Sequence, residues 1–193
     1  MVRREKMREI PSGFRQCQQI AGIWAVNREA FFDELTPREG QERAFEAVGK
    51  LLDKKLKMVF LVGESRSGKS WFCSAYVNHL LKDQYNRGVT TTVKYMTFFD
   101  FELALRSAQT LGTMDKLFDR MVGYPQLVID ELGRGKWSEF TSTFFMNVLI
   151  RRHGENKETL VGTNLSGAEV KEMLDLAVLE RIKEDGAIIL MKK

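Results

Sequence analysis

Met58-Val59-Phe60-Leu61-Val62-Gly63-Glu64-Ser65-Arg66-Ser67-Gly68-Lys69-Ser70 joins a run of five apolar residues to an eight-residue sequence of the form G-x-x-x-x-G-K-[ST]. An apolar run this short, ended by a glycine, predicts a strand buried on both faces. From Ser70 to Asp83 the spacing becomes helical, and Asn86-Arg87-Gly88 stops the helix. A strand, a glycine-bounded loop and a helix N-terminus in that order form an anion trap. Successive backbone N–H groups and the positive end of the helix face the loop, Lys69 reaches the β and γ phosphates, and the Ser70 hydroxyl ligates magnesium. Gly63, Glu64, Ser65, Arg66, Ser67, Gly68, Lys69, Ser70 and Trp71 are therefore the candidate nucleotide-binding residues, and ATP with Mg2+ is the implied ligand.

Working outward, GQERAFEAVGKLLDKKLK (40–57) places Ala44, Phe45, Val48, Leu51 and Leu52 on one helical face before the strand. Downstream, TTTVKYM (90–96) predicts a second strand. FFDFELALRSAQ and MDKLFDRM predict two helices parted by a turn at 110–113, with Thr97 capping the first. QLVID (126–130) predicts a third strand, and residues 138–153 a helix with Phe144, Phe145, Val148 and Leu149 toward the core. TLVGT (159–163) predicts a fourth strand, Ser166 with Glu169 a capping box, 175–183 a helix, and AIILM (187–191) a last strand. Strands separated by helices imply an α/β protein with a parallel sheet of about five strands and helices on both faces. Residues 1–39 carry only scattered apolar positions and read as an irregular N-terminal extension to a core spanning 40–193.

Leu127-Val128-Ile129-Asp130-Glu131 is an apolar strand ending in two acids. In open α/β sheets that end of the strand borders the ligand crevice. Asp130 is the candidate magnesium carboxylate, and Glu131 the candidate base that orients and deprotonates an attacking water. A strand ending in one solvated acid is commonplace; the phosphate loop upstream gives this pair its meaning. Thr163-Asn164 ends another strand at the same edge, where the Asn164 amide would reach a γ-phosphate or the water, or would simply start the following turn.

The chain has 193 residues, room for one full-sized domain, with 44% hydrophobic and 29% charged residues. Those proportions exclude disordered and collagen-like classes, and no segment approaches the roughly 18 uninterrupted apolar residues of a membrane helix. A net charge of +4 permits a polyanion partner without requiring one. Cys17 and Cys73 lie far apart without a metal-binding pattern, which fits a reducing, cytoplasmic setting; the charged N-terminus does not read as a secretory signal.

The order Ile10-Pro11-x-x-Phe14-Arg15, Gly40-Gln41, the phosphate loop, Tyr95-Met96, Ile129 to Gly133, Thr163-Asn164-Leu165 and Leu179-Glu180-Arg181-Ile182 resembles DnaC-type helicase loaders and their IstB-type transposition relatives, across nearly the whole chain. The resemblance implies an AAA+ ATPase core without the helical lid, with strand order 5-1-4-3-2. It implies Asn164 as a sensor of the γ-phosphate and Arg181 as a finger completing a neighbouring subunit's site, hence self-association with ATP. A replicative helicase or a transposase is the implied protein partner. Family loops usually carry a small residue where Arg66 stands, and Trp71-Phe72-Cys73 is bulkier than the usual pattern.

The family further implies single-stranded DNA held by the helices between strands two and three, where Arg106, Lys116 and Arg120 lie and Lys94 is near. Arg134, Lys136 and Trp137 follow the acidic pair and combine two charges with an aromatic platform, although a solvated surface and a packed indole explain them equally well. Helicase loading with single strands is the leading expectation. An IstB-type transposition helper acting on duplex DNA and a small-molecule P-loop kinase are the alternatives; Glu131, suited to water activation, argues against the kinase.

Overall fold

All five residues of β1 (Met58–Val62) are buried, because the strand is central and covered on both faces. Val59 and Leu61 enter one apolar cluster while Met58, Phe60 and Val62 enter the other. The computed structural model describes residues 10–133 and 137–192. In chain order these form α1 (Ser12–Ala21), two 3-10 turns (Ala25–Asn27 and Phe32–Glu34), α2 (Glu42–Leu52), β1, α3 (Lys69–Asn86), β2 (Val93–Thr97), α4 (Phe98–Leu111), α5 (Met114–Gly123), β3 (Gln126–Leu132), α6 (Glu139–Gly154), β4 (Glu158–Thr163), α7 (Gly167–Met173), α8 (Leu176–Asp185) and β5 (Gly186–Leu190). The sheet order is β2-β3-β4-β1-β5 with every neighbouring pair parallel, the expected order read from the other edge. Helices α1, α2 and α3 cover one face; α4, α6 and α8 cover the other.

The caps follow the sequence. Thr97 and Ser166 each close a capping box, with Asp100 and Glu169, and Ser138 and Asp175 accept from the first turns of α6 and α8. Residues 10–39 depart from the irregular expectation. α1 is a full helix whose Phe14, Gln18 and Ala21 are buried, and it packs on α3. Gln18 donates to Arg28 O and Asn78 Oδ1, both at 2.8 Å, while Asn78 Nδ2 spans the carbonyls of Asn27, Arg28 and Ala30. β2 begins at Val93 and not at Thr90, because the Gln84 side chain takes both the Thr92 hydroxyl (2.8 Å) and its N–H (3.1 Å).

At the N-terminal ends of the strands Arg152 is fully buried on α6. Its guanidinium donates to the carbonyls of Met121, Val122, Tyr124, Pro125 and Glu158, and its Nε to the Thr159 hydroxyl at 2.9 Å. Burial lowers its pKa to about 10. One side chain thereby fastens the α5–β3 connection to β4.

Candidate nucleotide-binding site

The loop between β1 and α3 lies at the C-terminal ends of the central strands. Lys69 is 6% exposed, and its ammonium donates to Gly63 O and Glu64 O, each at 2.7 Å, and to Ser67 Oγ at 3.2 Å. Burial pushes this amine below its usual range, and the nearby Asp130 carboxylate partly offsets the shift. Arg66 has φ +69°, a left-handed conformation that glycine adopts without a Cβ penalty, so a glycine would fit this position of the loop with less strain. Gln41, at the start of α2, donates to Ser67 O at 2.8 Å and accepts from the Arg38 N–H at 3.1 Å, holding the loop from the N-terminal side.

β3 brings the acidic pair to the same place. Asp130 is 1% exposed: its Oδ2 accepts from the Tyr95 hydroxyl at 2.9 Å and its Oδ1 from the Glu131 N–H at 2.8 Å. A Cβ at Gly162 would collide with Oδ1, so only glycine leaves room for this carboxylate on β4. Glu131 sits at φ +60°, where the β3–β4 register slips between Ile129 and Leu132, a bulge that re-aims the side chain relative to a regular strand. Thr163 closes the neighbouring strand end by donating to Leu132 O at 2.8 Å and accepting from the Leu165 N–H, and exposed Asn164 follows it.

These groups converge on a cleft of about 260 Å³ lined by Ser65, Arg66, Gly68, Lys69, Ser70, Trp71, Asp130, Glu131 and Asn164, joined by Asn27 from the N-terminal segment. A second hollow of about 240 Å³ shares Arg66, Gly68 and Trp71 with it and continues to Leu35, Arg38 and Gln41. The donor set suits magnesium, which prefers oxygen ligands and keeps waters and substrate phosphates as the remainder of its shell. Ser70 and Asp130 supply such oxygens, and no cluster of three or more His, Cys, Asp or Glu able to hold a metal alone occurs among the described residues.

Arg181 is placed elsewhere. It is half-buried on α8, donates to its own helix at Ala177 O (2.7 Å), and does not line the cleft. Arg106 is exposed on α4, 3.8 Å from Glu102, with Lys116 and Arg120 exposed on α5, while burial lowers the pKa of half-buried Lys94. The Trp137 ring packs on Phe98 and Phe145, with centroids 5.0 and 5.6 Å away, so apolar packing accounts for it. Arg134 and Lys136 lie outside the described residues. Asn27, Gln41 and Tyr95 were not read as site residues. The sequence signal available was a tyrosine in a buried strand, whose hydroxyl needs a partner, and the Gly40-Gln41 pair opening α2.

A phosphate loop on β1, an acidic pair on β3, a polar residue ending β4 and this strand order together define an α/β P-loop fold. The solved structures that share the fold include the DnaC helicase loader (TM-score 0.71, 20% identity, covering 88% of this chain and 100% of that one). DnaI matches with a TM-score of 0.68 and 20% identity over 89% of this chain and 95% of that one. The replication initiator DnaA bound to AMPPCP and single-stranded DNA matches with a TM-score of 0.71 and 18% identity over 88% of this chain and 52% of that one. The chain thus spans about half the length of the DnaA structure and all of the DnaC one. No protein-family model and no curated protein matches the chain. No helix among the described residues is long and apolar enough to cross a membrane.

Proposed function

We propose that this chain is a replication-linked AAA+ ATPase of helicase-loader type, binding ATP with magnesium and engaging single-stranded DNA and a replicative helicase. The observation that carries the reading is the convergence of Lys69, Ser70, Asp130, Glu131 and Asn164 on one cleft. Lys69 would exchange its loop carbonyls for the β and γ phosphate oxygens. Ser70 and, directly or through water, Asp130 would hold a magnesium ion, which would supply charge neutralisation at the phosphates. Glu131 orients and deprotonates the attacking water, and Asn164 contacts the γ-phosphate or that water. Arg181, already outside its own cleft, would act on the site of a neighbouring copy.

The DNA part rests on exposed Arg106, Lys116 and Arg120 and on the DnaA structure that shares the fold and holds a single strand. Phosphate release from ATP, measured with single-stranded DNA, duplex DNA or neither, tests the whole reading, with fluorescence anisotropy reporting DNA affinity. ATP turnover and single-strand binding support it; duplex preference favours the transposition helper; phosphate transfer to a small hydroxyl compound, without DNA binding, favours the kinase.

A further inference from the structure

Tyr95 stands in the middle of β2, an edge strand, yet it is 2% exposed. Its ring runs beneath the sheet face covered by α3 and ends on Asp130 Oδ2 at 2.9 Å. The other carboxylate oxygen is held by the Glu131 N–H at 2.8 Å, and Gly162 and Cys73 wall that side. Burial and the adjacent carboxylate push the Tyr95 hydroxyl far above its ordinary range, so it remains a donor. The other end of Tyr95 is pinned as well. Gly22, at φ +97° in the C-cap of α1, lies so close to the Tyr95 carbonyl that a Cβ there would collide with it.

We propose that Tyr95 is a positioning residue that presets the Asp130 carboxylate for a divalent cation. The proposal rests on the reading of Asp130 as a magnesium-holding group. A carboxylate already accepting from two fixed donors offers its remaining lone pairs in one direction and cannot swing away between binding events. Groups that orient metal ligands in this way typically contribute about 10-fold to 100-fold to metal affinity when they are removed. Tyr95→Phe keeps the ring and deletes only the donor.

The test is equilibrium binding of a fluorescent, non-hydrolysable ATP analogue as a function of magnesium, in the wild type, Tyr95→Phe, Asp130→Asn and the double variant. Tyr95→Phe should raise the magnesium concentration at half-maximal binding about tenfold, leave affinity in EDTA unchanged, and add nothing to Asp130→Asn. Tyr95→p-aminophenylalanine, which restores a donor at the same place, should return the midpoint toward wild type and covers the case in which Tyr95→Phe does not fold. A wild-type midpoint in folded Tyr95→Phe, an equal loss in EDTA, or an additive effect on Asp130→Asn would each overturn the proposal. If wild-type binding ignores magnesium altogether, the Asp130 reading fails, and this proposal with it.

Discussion

Lys69 gives all three of its ammonium protons to its own loop, at Gly63 O, Glu64 O and Ser67 Oγ. That arrangement keeps a buried cation lining the cleft without a carboxylate, among the described residues, within hydrogen-bonding distance. Lys69→Ala should therefore lower ATP affinity roughly 100-fold to 1000-fold, or about 3 to 4 kcal/mol, by analogy with the loss of one preorganised charge-stabilising donor. Isothermal titration measures it, and unchanged affinity sinks the phosphate-loop reading. Arg66 illustrates a different balance. Its φ of +69° costs about 1 kcal/mol or more relative to glycine, which loses part of that advantage through a freer unfolded chain. Arg66→Gly should raise the stability of the nucleotide-free protein by about 0.5 to 1 kcal/mol, read from urea unfolding. The loop was legible because glycine, lysine and serine at fixed spacing have few other uses, and Asp130 with Glu131 because two acids end an apolar strand. Tyr95 and Asn27 were not, since one depends on which carboxylate its hydroxyl reaches and the other on where a turn lies after folding.

Elements were legible where side-chain period and caps agreed, as at Met58–Val62 and in the Thr97 and Ser166 capping boxes. α1 was hidden because its buried stripe, Phe14, Gln18 and Ala21, has a glutamine at the centre. A polar residue breaks an apolar pattern on paper, but Gln18 is buried with its amide bonded to Asn78 and to Arg28 O. The start of β2 was misplaced for a related reason. Three threonines in a row have strand propensity, yet the Gln84 side chain takes the Thr92 N–H that a sheet partner would need, and donates to its hydroxyl as well. Arg152 is the extreme case, an arginine at 0% exposure in a helix next to another arginine, which reads as a solvated pair in sequence. Arg152→Ala strips the donor from five carbonyls and a hydroxyl, and should cost about 3 to 5 kcal/mol in urea unfolding. A loss under about 1 kcal/mol would mean that those groups find other partners.

For the molecule as a whole, the proposed ATPase chemistry calls for a cation beyond Lys69 and Arg66 to meet the charge that develops on the γ-phosphate, and among the described residues no other cation lines the cleft. Arg181 is half-buried on α8, bonded to Ala177 O, and does not line its own cleft, which leaves the site of a second copy as its proposed place of action. Mixing Arg181→Ala chains with Glu131→Gln chains should recover part of the ATPase activity that each lacks alone, because some interfaces then pair an intact Glu131 with an intact Arg181. No recovery in mixtures shown to co-assemble places Arg181 in the structure of its own subunit. The alternation of strands and helices implied the parallel sheet and the family resemblance alone implied its strand order, whereas the contribution of the N-terminal segment was invisible until its polar contacts were known. Asn78 is the feature of widest reach. It projects from α3, whose first turn carries Lys69 and Ser70, and its one amide gathers the carbonyls of Asn27, Arg28 and Ala30. Mechanically, the N-terminal strap and the phosphate-loop helix are geared together. A displacement of the strap that kept these hydrogen bonds would carry α3, with Lys69 and Ser70 in its first turn, along with it.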